Sequence, residues 1–260
     1  MKILRLFTAI LSLSLRRDLA FRTDLLFQGL VSAAEGAAGL ATLAVVYTRV
    51  QTIAGWQPEA AIILFGTFQI MSGVLTTYIE PNVAWFRDQI LEGRLDDILL
   101  KPVPALFLAS LGTSASWGLL DIATGIVLVG IGQCLVGTLP PWWHMVSWLI
   151  LMMVGIVMTW SSRVVLASAA FWAPSFQPDV LYKALWQFGR YPVQIYQQPL
   201  RFILTYVVPI AFVATFPAQA LTHGSSAPFL GASVLGGAGA ILLVRSVWTA
   251  GLRRYTSATS

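Results

Sequence analysis

Six long apolar runs constrain this sequence more than any other feature. They are Leu25–Val46, Ala60–Ile79, Leu106–Val136, Trp142–Ser162, Phe202–Leu221 and Phe229–Ala250. A helix needs about 20 predominantly apolar residues to cross a bilayer. Within lipid every backbone N–H and C=O must be satisfied internally, so such runs cross as helices. The predicted fold class is therefore all-α: a polytopic transmembrane helical protein with about six spans. The third and fourth runs exceed one bilayer thickness and are expected to tilt or project beyond it. Of the 260 residues, 57% are hydrophobic and 10% charged, against about 45–50% and about 25% in soluble domains. A chain this short cannot hide that much apolar surface from water. A soluble globular enzyme and a disordered chain are both excluded, and residues 1–260 read as one transmembrane domain.

The basic residues set the expected orientation. Taking the N-terminus as cytoplasmic, Lys2, Arg5, Arg16, Arg17 and Arg22 lie inside, as do Arg87, Arg94 and Lys101. So do Arg163, Lys183, Arg190 and Arg201, and then Arg245, Arg253 and Arg254. Of the 16 Lys and Arg only Arg49 falls outside. Lys and Arg favour cytoplasmic loops, so both termini are expected there. The formal charge of +5 thus reports membrane sidedness and implies lipid, not nucleic acid, as its partner. Trp56, Trp142, Trp143 and Trp148 sit near the expected outer interface, and Trp85, Trp172, Tyr182 and Trp186 near the inner one, where amphipathic rings prefer to lie.

Residues 1–23 read as an interfacial helix. Lys2, Arg5, Ser12 and Arg16 share one stripe, opposite Ile3, Leu4, Phe7, Ile10, Leu11 and Leu15. Arg16, Arg17 and Asp18 stand where a cleavable signal peptide would carry small residues. Residues 173–200 read as a cytoplasmic or interfacial segment, with Asp179–Gly189 amphipathic. The one cysteine, Cys134, allows no intrachain disulfide and reads as a small packing residue. Ala33, Ala37 and Ala41, and Gly231, Gly236, Gly237 and Gly239, have the small-residue spacing that lets helices approach closely.

The richest polar segment is residues 80–104, between the second and third spans. Phe86, Ile90, Leu91, Leu95, Ile98 and Leu99 recur near helical spacing, with charges filling the other positions. Pro81 is expected to open the segment, Gly93 to break it into two short helices, and Pro102 with Pro104 to close it. An amphipathic cytoplasmic element of mixed charge suits docking to a soluble partner.

The stretch EGRLDDILLKPVP (Glu92–Pro104) resembles the loop after the second span of ABC-2 type permeases. The stretch FGRYPVQIYQQPLRFILTYVVPIAFVATFPAQAL (Phe188–Leu221) resembles the same family. Both are most similar to its uncharacterised and drug- or viologen-export branch, and the resemblance covers nearly the whole chain. It implies a membrane subunit of an ATP-driven exporter in a bacterial inner membrane, paired with a second permease and with two copies of a cytosolic ATPase. It also implies that Arg87, Asp88, Ile90, Leu91, Glu92, Gly93, Arg94, Leu95, Asp96 and Asp97 form the region that couples to the ATPase. No cofactor is expected on this chain, since ATP and Mg would sit on the ATPase. The lysines agree. A P-loop needs Gly-Lys-Ser/Thr, whereas Lys2, Lys101 and Lys183 follow Met1, Leu100 and Tyr182.

Two acids fall at membrane depth. Glu35 lies about 15 Å into the first span and Asp121 about 22 Å into the third, at 1.5 Å per residue. A carboxylate there is costly unless it faces protein, cavity water or a partner. Glu35 and Asp121 are candidates for a translocation path, with structural bonding to neighbouring helices as the other reading. Arg163, near the inner end of the fourth span, is expected to snorkel to water. Pro209 is expected to bend the fifth span. An intramembrane enzyme would need a nucleophile–base pair or metal set at depth, but His144 and His223 both fall in predicted outer loops. A secondary transporter or channel is the alternative to the permease reading, but it would call for internal repeats, and none is evident.

Overall fold

The computed structural model describes residues 22–100 and 105–255. The expected interfacial helix lies outside them up to residue 21, as does Lys101–Pro104. The architecture is helical: α1 (Arg22–Tyr47), α2 (Pro58–Val74), α3 (Glu80–Leu91), α4 (Asp96–Leu99), α5 (Ala105–Leu111) and α6 (Gly118–Val136), then α7 (Trp142–Ser168), α8 (Pro178–Trp186), α9 (Leu200–Phe202), α10 (Thr215–His223) and α11 (Ala227–Leu252). Among the described residues no β-strand forms. Among the described residues five helical stretches are long and apolar enough to cross a membrane: Leu26–Tyr47, Pro58–Leu91, Gly118–Val136, Trp142–Phe171 and Ala227–Leu252.

Two apolar runs depart from simple spans. The run expected at Leu106–Val136 is cut between α5 and α6, where Gly112, Thr113, Ser114 and Ser116 supply loop chemistry. The run expected at Phe202–Leu221 is not one helix. After α9 a π turn covers Ile203–Val207, the chain extends at Val208 (φ −114, ψ 96), and a 3₁₀ turn covers Ile210–Phe212 before α10. Pro209 drives Val208 out of the helical region and withdraws an N–H. The expected bend is therefore a full break.

Pro81 behaves differently. It was expected to open a separate segment, yet Pro58–Leu91 is one 34-residue helical stretch. A π turn at Leu75–Ile79 inserts one residue, with the Glu80 N–H donating to the Leu75 carbonyl. The Thr77 carbonyl, which would have met the missing Pro81 N–H, accepts instead from the Ala115 N–H at 2.9 Å. Fully buried Asn82 completes the joint. Its amide donates to the carbonyls of Tyr78 (2.6 Å) and Thr113 (2.7 Å), and its Oδ1 accepts the Thr113 N–H at 2.8 Å. The α5–α6 interruption and the α2–α3 junction thus satisfy one another.

The tightest packing is between α2 and α6. Gly66 and Gly73 meet Gly125 and Gly118 on the antiparallel neighbour. A Cβ at Gly125 would lie 2.6 Å from the Gly66 carbonyl oxygen, and one at Gly73 would lie 2.5 Å from that of Gly118. Gly118, Gly125 and Gly132 recur every seven residues, so one face of α6 lies directly on the α2 backbone. In α1 the close approach uses Gly36 and Gly39, the latter against the Phe65 ring. Ala33, Ala37 and Ala41 are exposed. In α11, Gly237 packs on Val154 and Val157, while nothing approaches Gly231 or Gly239. Cys134, read as a small packing residue, is exposed on α6 and lies outside the main core. That core contains Phe68, Met71, Phe86, Val164, Trp186, Val213 and Trp248.

Candidate functional site

A charged cavity of about 260 Å³ opens between α1, α2, α6 and α8. Glu35 and Asp121, named separately from the sequence, both line it. Gln28 and Ser32 come from α1, Gln69, Ser72 and Thr76 from the second span, and Lys183, Trp186 and Arg190 from the α8 region. Glu80, at the α2–α3 junction, closes one end.

Each acid has a defined partner. Asp121 accepts a short hydrogen bond from the Ser32 hydroxyl. Glu35 pairs with Arg190 at 3.4 Å, and the Arg190 guanidinium lies 5.7 Å from the Phe68 ring centroid. Glu80 pairs with Lys183 at 3.0 Å and lies 3.8 Å from Arg163. The lining therefore carries three acids (Glu35, Glu80, Asp121) and two bases (Lys183, Arg190). Among the described residues no Lys or Arg pairs with Asp121. An intramembrane acid calls for a cation, but sequence alone could not select Arg190, which lies 155 positions from Glu35.

Arg163 does not snorkel. Its side chain is 2% exposed and bonds Asp179 at 2.7 Å. Its guanidinium lies 4.7 Å from the Tyr182 ring centroid. A buried guanidinium needs both charge compensation and hydrogen bonds, and α8 supplies them by crossing the C-terminal end of α7. Burial pushes the Tyr182 hydroxyl up to about 12, so it remains protonated and shares a 3.2 Å hydrogen bond with Ser162. The Trp186 indole N–H donates to Ser72 at 2.9 Å and fixes the same element to α2.

The segment named for coupling lies at the far end of the second span. A 34-residue helix is about 51 Å long at 1.5 Å per residue, against about 30 Å of hydrocarbon. The stretch is therefore longer than the core is thick, and α3, with Glu80, Arg87 and Asp88 against Glu59 alone in α2, is its charged end. α3 stops in a Schellman arrangement: the Gly93 N–H reaches the Ile90 carbonyl, the Arg94 N–H reaches that of Gln89, and Gly93 is left-handed at φ +65. Ile90 and Leu95 face inward. The Leu95 N–H donates to the Tyr255 hydroxyl at 2.9 Å, and Arg87 bonds the carbonyls of Pro174 (3.4 Å) and Phe176 (3.1 Å). Asp88, Leu91, Glu92, Arg94, Leu99 and Leu100 face outward, with Leu100 85% exposed. Gly93 is half-buried at the turn, and Asp96 begins α4 beside Asp97. Sequence named this region without separating its two faces.

These features define a multi-pass helical membrane protein with a charged cavity among its spans. Residues 35–259 match the family model described as ABC-2 family transporter protein. The chain belongs to that family, whose members are membrane components of ABC transporters. Comparison with curated proteins and with solved structures gives no match.

Proposed function

We propose that this chain is the permease subunit of an ATP-driven exporter in a bacterial inner membrane, with both termini cytoplasmic. It works with a second permease and takes its driving force from a separate cytosolic ATPase, which carries the ATP and Mg. The observation that supports the reading is α3, the charged end of a helix longer than the hydrocarbon core is thick, which in this reading projects into the cytoplasm. The projecting end presents Leu91, Leu99 and Leu100 outward between Asp88, Glu92 and Arg94. An apolar stripe edged by both charges suits a groove on a soluble partner. Force applied there enters α2 through the Asn82 joint, and α2 lines the charged cavity. Glu35 and Asp121 supply negative charge to the path, and Asp121, which has no basic partner among the described residues, is the one placed to meet a cationic group.

The test is copurification with ATPase assay. The membrane-embedded chain should bring down an ABC ATPase, and Leu91→Asp should release it while leaving the permease folded. Retention of the ATPase by Leu91→Asp together with Leu100→Asp sinks the docking assignment. Glu35→Gln and Asp121→Asn should each lower transport at normal expression, and unchanged transport by both ends the path assignment.

A further inference from the structure

A second cavity, of about 610 Å³, lies between α7, α11 and the broken segment before α10. That volume falls within the usual ligand-pocket range of about 300–1,000 Å³. Its walls are mostly apolar, including Met158, Val165, Val207, Phe212, Phe229 and Leu243. Along α11 it extends from Phe229 to Leu243, about 21 Å at 1.5 Å per residue. Tyr206 is 72% and Val207 63% exposed at its rim, so the cavity opens sideways, on the flank of the helices.

One end is polar. Ser161, Ser162, Tyr182 and Thr205 border it. Ser162 and Tyr182 satisfy each other. Ser161 is 3% exposed, and its hydroxyl has no hydrogen-bond partner among the described residues. A buried hydroxyl left unmet costs about 1–3 kcal/mol. Its depth is informative. Ser161 lies 19 residues beyond Trp142, about 29 Å along α7, which equals the hydrocarbon thickness of about 30 Å. With exposed Trp142 at one interface, Ser161 stands at the opposite boundary, where lipid ester carbonyls lie.

We propose that this cavity holds one acyl chain of a membrane phospholipid, with its ester carbonyl at the Ser161 hydroxyl and its methyl end towards Phe212 and Phe229. Water does not fill an apolar cavity of this kind. A soluble partner cannot reach a lateral opening at membrane depth, whereas an acyl chain supplies both hydrocarbon for the walls and an acceptor for the lone donor.

The test uses the full chain in nanodiscs of phosphatidylglycerol and phosphatidylethanolamine. A trace phospholipid carries a diazirine near the end of its sn-2 chain, and cross-links are mapped by mass spectrometry. Labelling at Met158, Phe212 and Phe229 should exceed that at lipid-facing Ile126 and Ile131 by about tenfold, the ratio given by about 1.4 kcal/mol of preference. Ala232→Trp, which fills the cavity, should remove that excess and leave Ile126 labelled. Ala240→Leu provides an independent filling variant if the first does not fold. Ser161→Ala should lower the excess about fivefold, the value of one neutral hydrogen bond. Uniform labelling of all lipid-facing helices overturns the proposal, as does an excess unchanged by both filling variants. Equal enrichment by a diazirine fatty acid overturns the assignment to phospholipid.

Discussion

The α2–α6 pair and the group formed by α7, α11 and residues 200–212 have similar apolar composition and opposite construction. In the first, backbone meets backbone through Gly66, Gly73, Gly118, Gly125 and Gly132, and no side chain separates the helices. In the second, a helix is broken at Val208–Pro209, and a cavity of about 610 Å³ remains beside it. Hydropathy does not distinguish the two. Glycine at seven-residue spacing removes the space between helices, and proline without a compensating partner opens it. A rigid pair beside an open, segmented group is the arrangement a moving transporter needs, since interfaces that cannot shift define the frame against which others move.

The largest expected effect breaks the rigid side. Gly125→Leu would drive a side chain into the Gly66 carbonyl and the Ile70 N–H, which lie 2.6 and 2.7 Å from the Cβ position. Backbone cannot yield as a flexible side chain can, so the loss should reach about 3 kcal/mol or more. Thermal unfolding in detergent measures it. Gly130→Leu in the same helix, where nothing lies within 4 Å, should stay within about 0.5 kcal/mol. Equal losses from the two would show that the comparison misplaces the rigid interface.

Next comes the joint at Asn82. Asn82→Ala strands the Thr113 N–H and leaves the Tyr78 and Thr113 carbonyls without their side-chain donor. Unmet buried groups cost about 1–3 kcal/mol each, so a net loss of about 2 kcal/mol is expected. Hydrogen exchange should rise at residues 112–117 and stay unchanged in α11. A smaller effect is expected on the open side. Pro209→Ala restores an N–H and relaxes the constraint on Val208, yet the Phe212 carbonyl remains wedged 2.4 Å from the Cβ position of Gly155. Stability should change by less than about 1 kcal/mol. A large gain with closure of the cavity would mean that proline alone holds it open.

The comparison also explains what could be read from the sequence. Membrane class, helical fold and most spans were visible because hydrocarbon thickness imposes run length directly. Glu35 and Asp121 were visible because charge at depth is rare. Their meeting in one cavity was not, since it depends on α1 crossing α6 so that Ser32 reaches Asp121. Arg163 was misread because its position along α7 suggested access to water, while the α8 crossing that buries it leaves no local mark. The Gly66/Gly73 and Gly118/Gly125/Gly132 spacing is the sequence signal of the closest helix contact, whereas the more conspicuous alanines of α1 face outward. The π turn could not be inferred, because Pro81 leaves the Thr77 carbonyl without its helical donor, and the N–H that replaces it comes from Ala115, in the loop between α5 and α6.

The smallest expected change in stability carries the sharpest functional contrast. Arg94 and Glu92 form an ion pair at the turn that ends α3, with side chains 60% and 48% exposed. Such pairs contribute about 0–1 kcal/mol, so Arg94→Ala should leave the unfolding temperature nearly unchanged. Its position is nevertheless fixed: the left-handed turn at Gly93 directs Arg94 outward while Leu95, bonded to Tyr255, holds the chain inward. The backbone at Arg94 is thus fixed, while its side chain stands in the open. If the projecting end engages an ATPase, Arg94→Ala should weaken that association about tenfold, since truncating one charge at an interface costs on the order of 1–2 kcal/mol. Raising the salt concentration should erase the difference between variant and parent, because screening removes from the parent what the substitution removes from the variant. Association equal in both at low salt would reduce Arg94 to a solvated helix end, leaving Leu91, Leu99 and Leu100 alone to account for any docking.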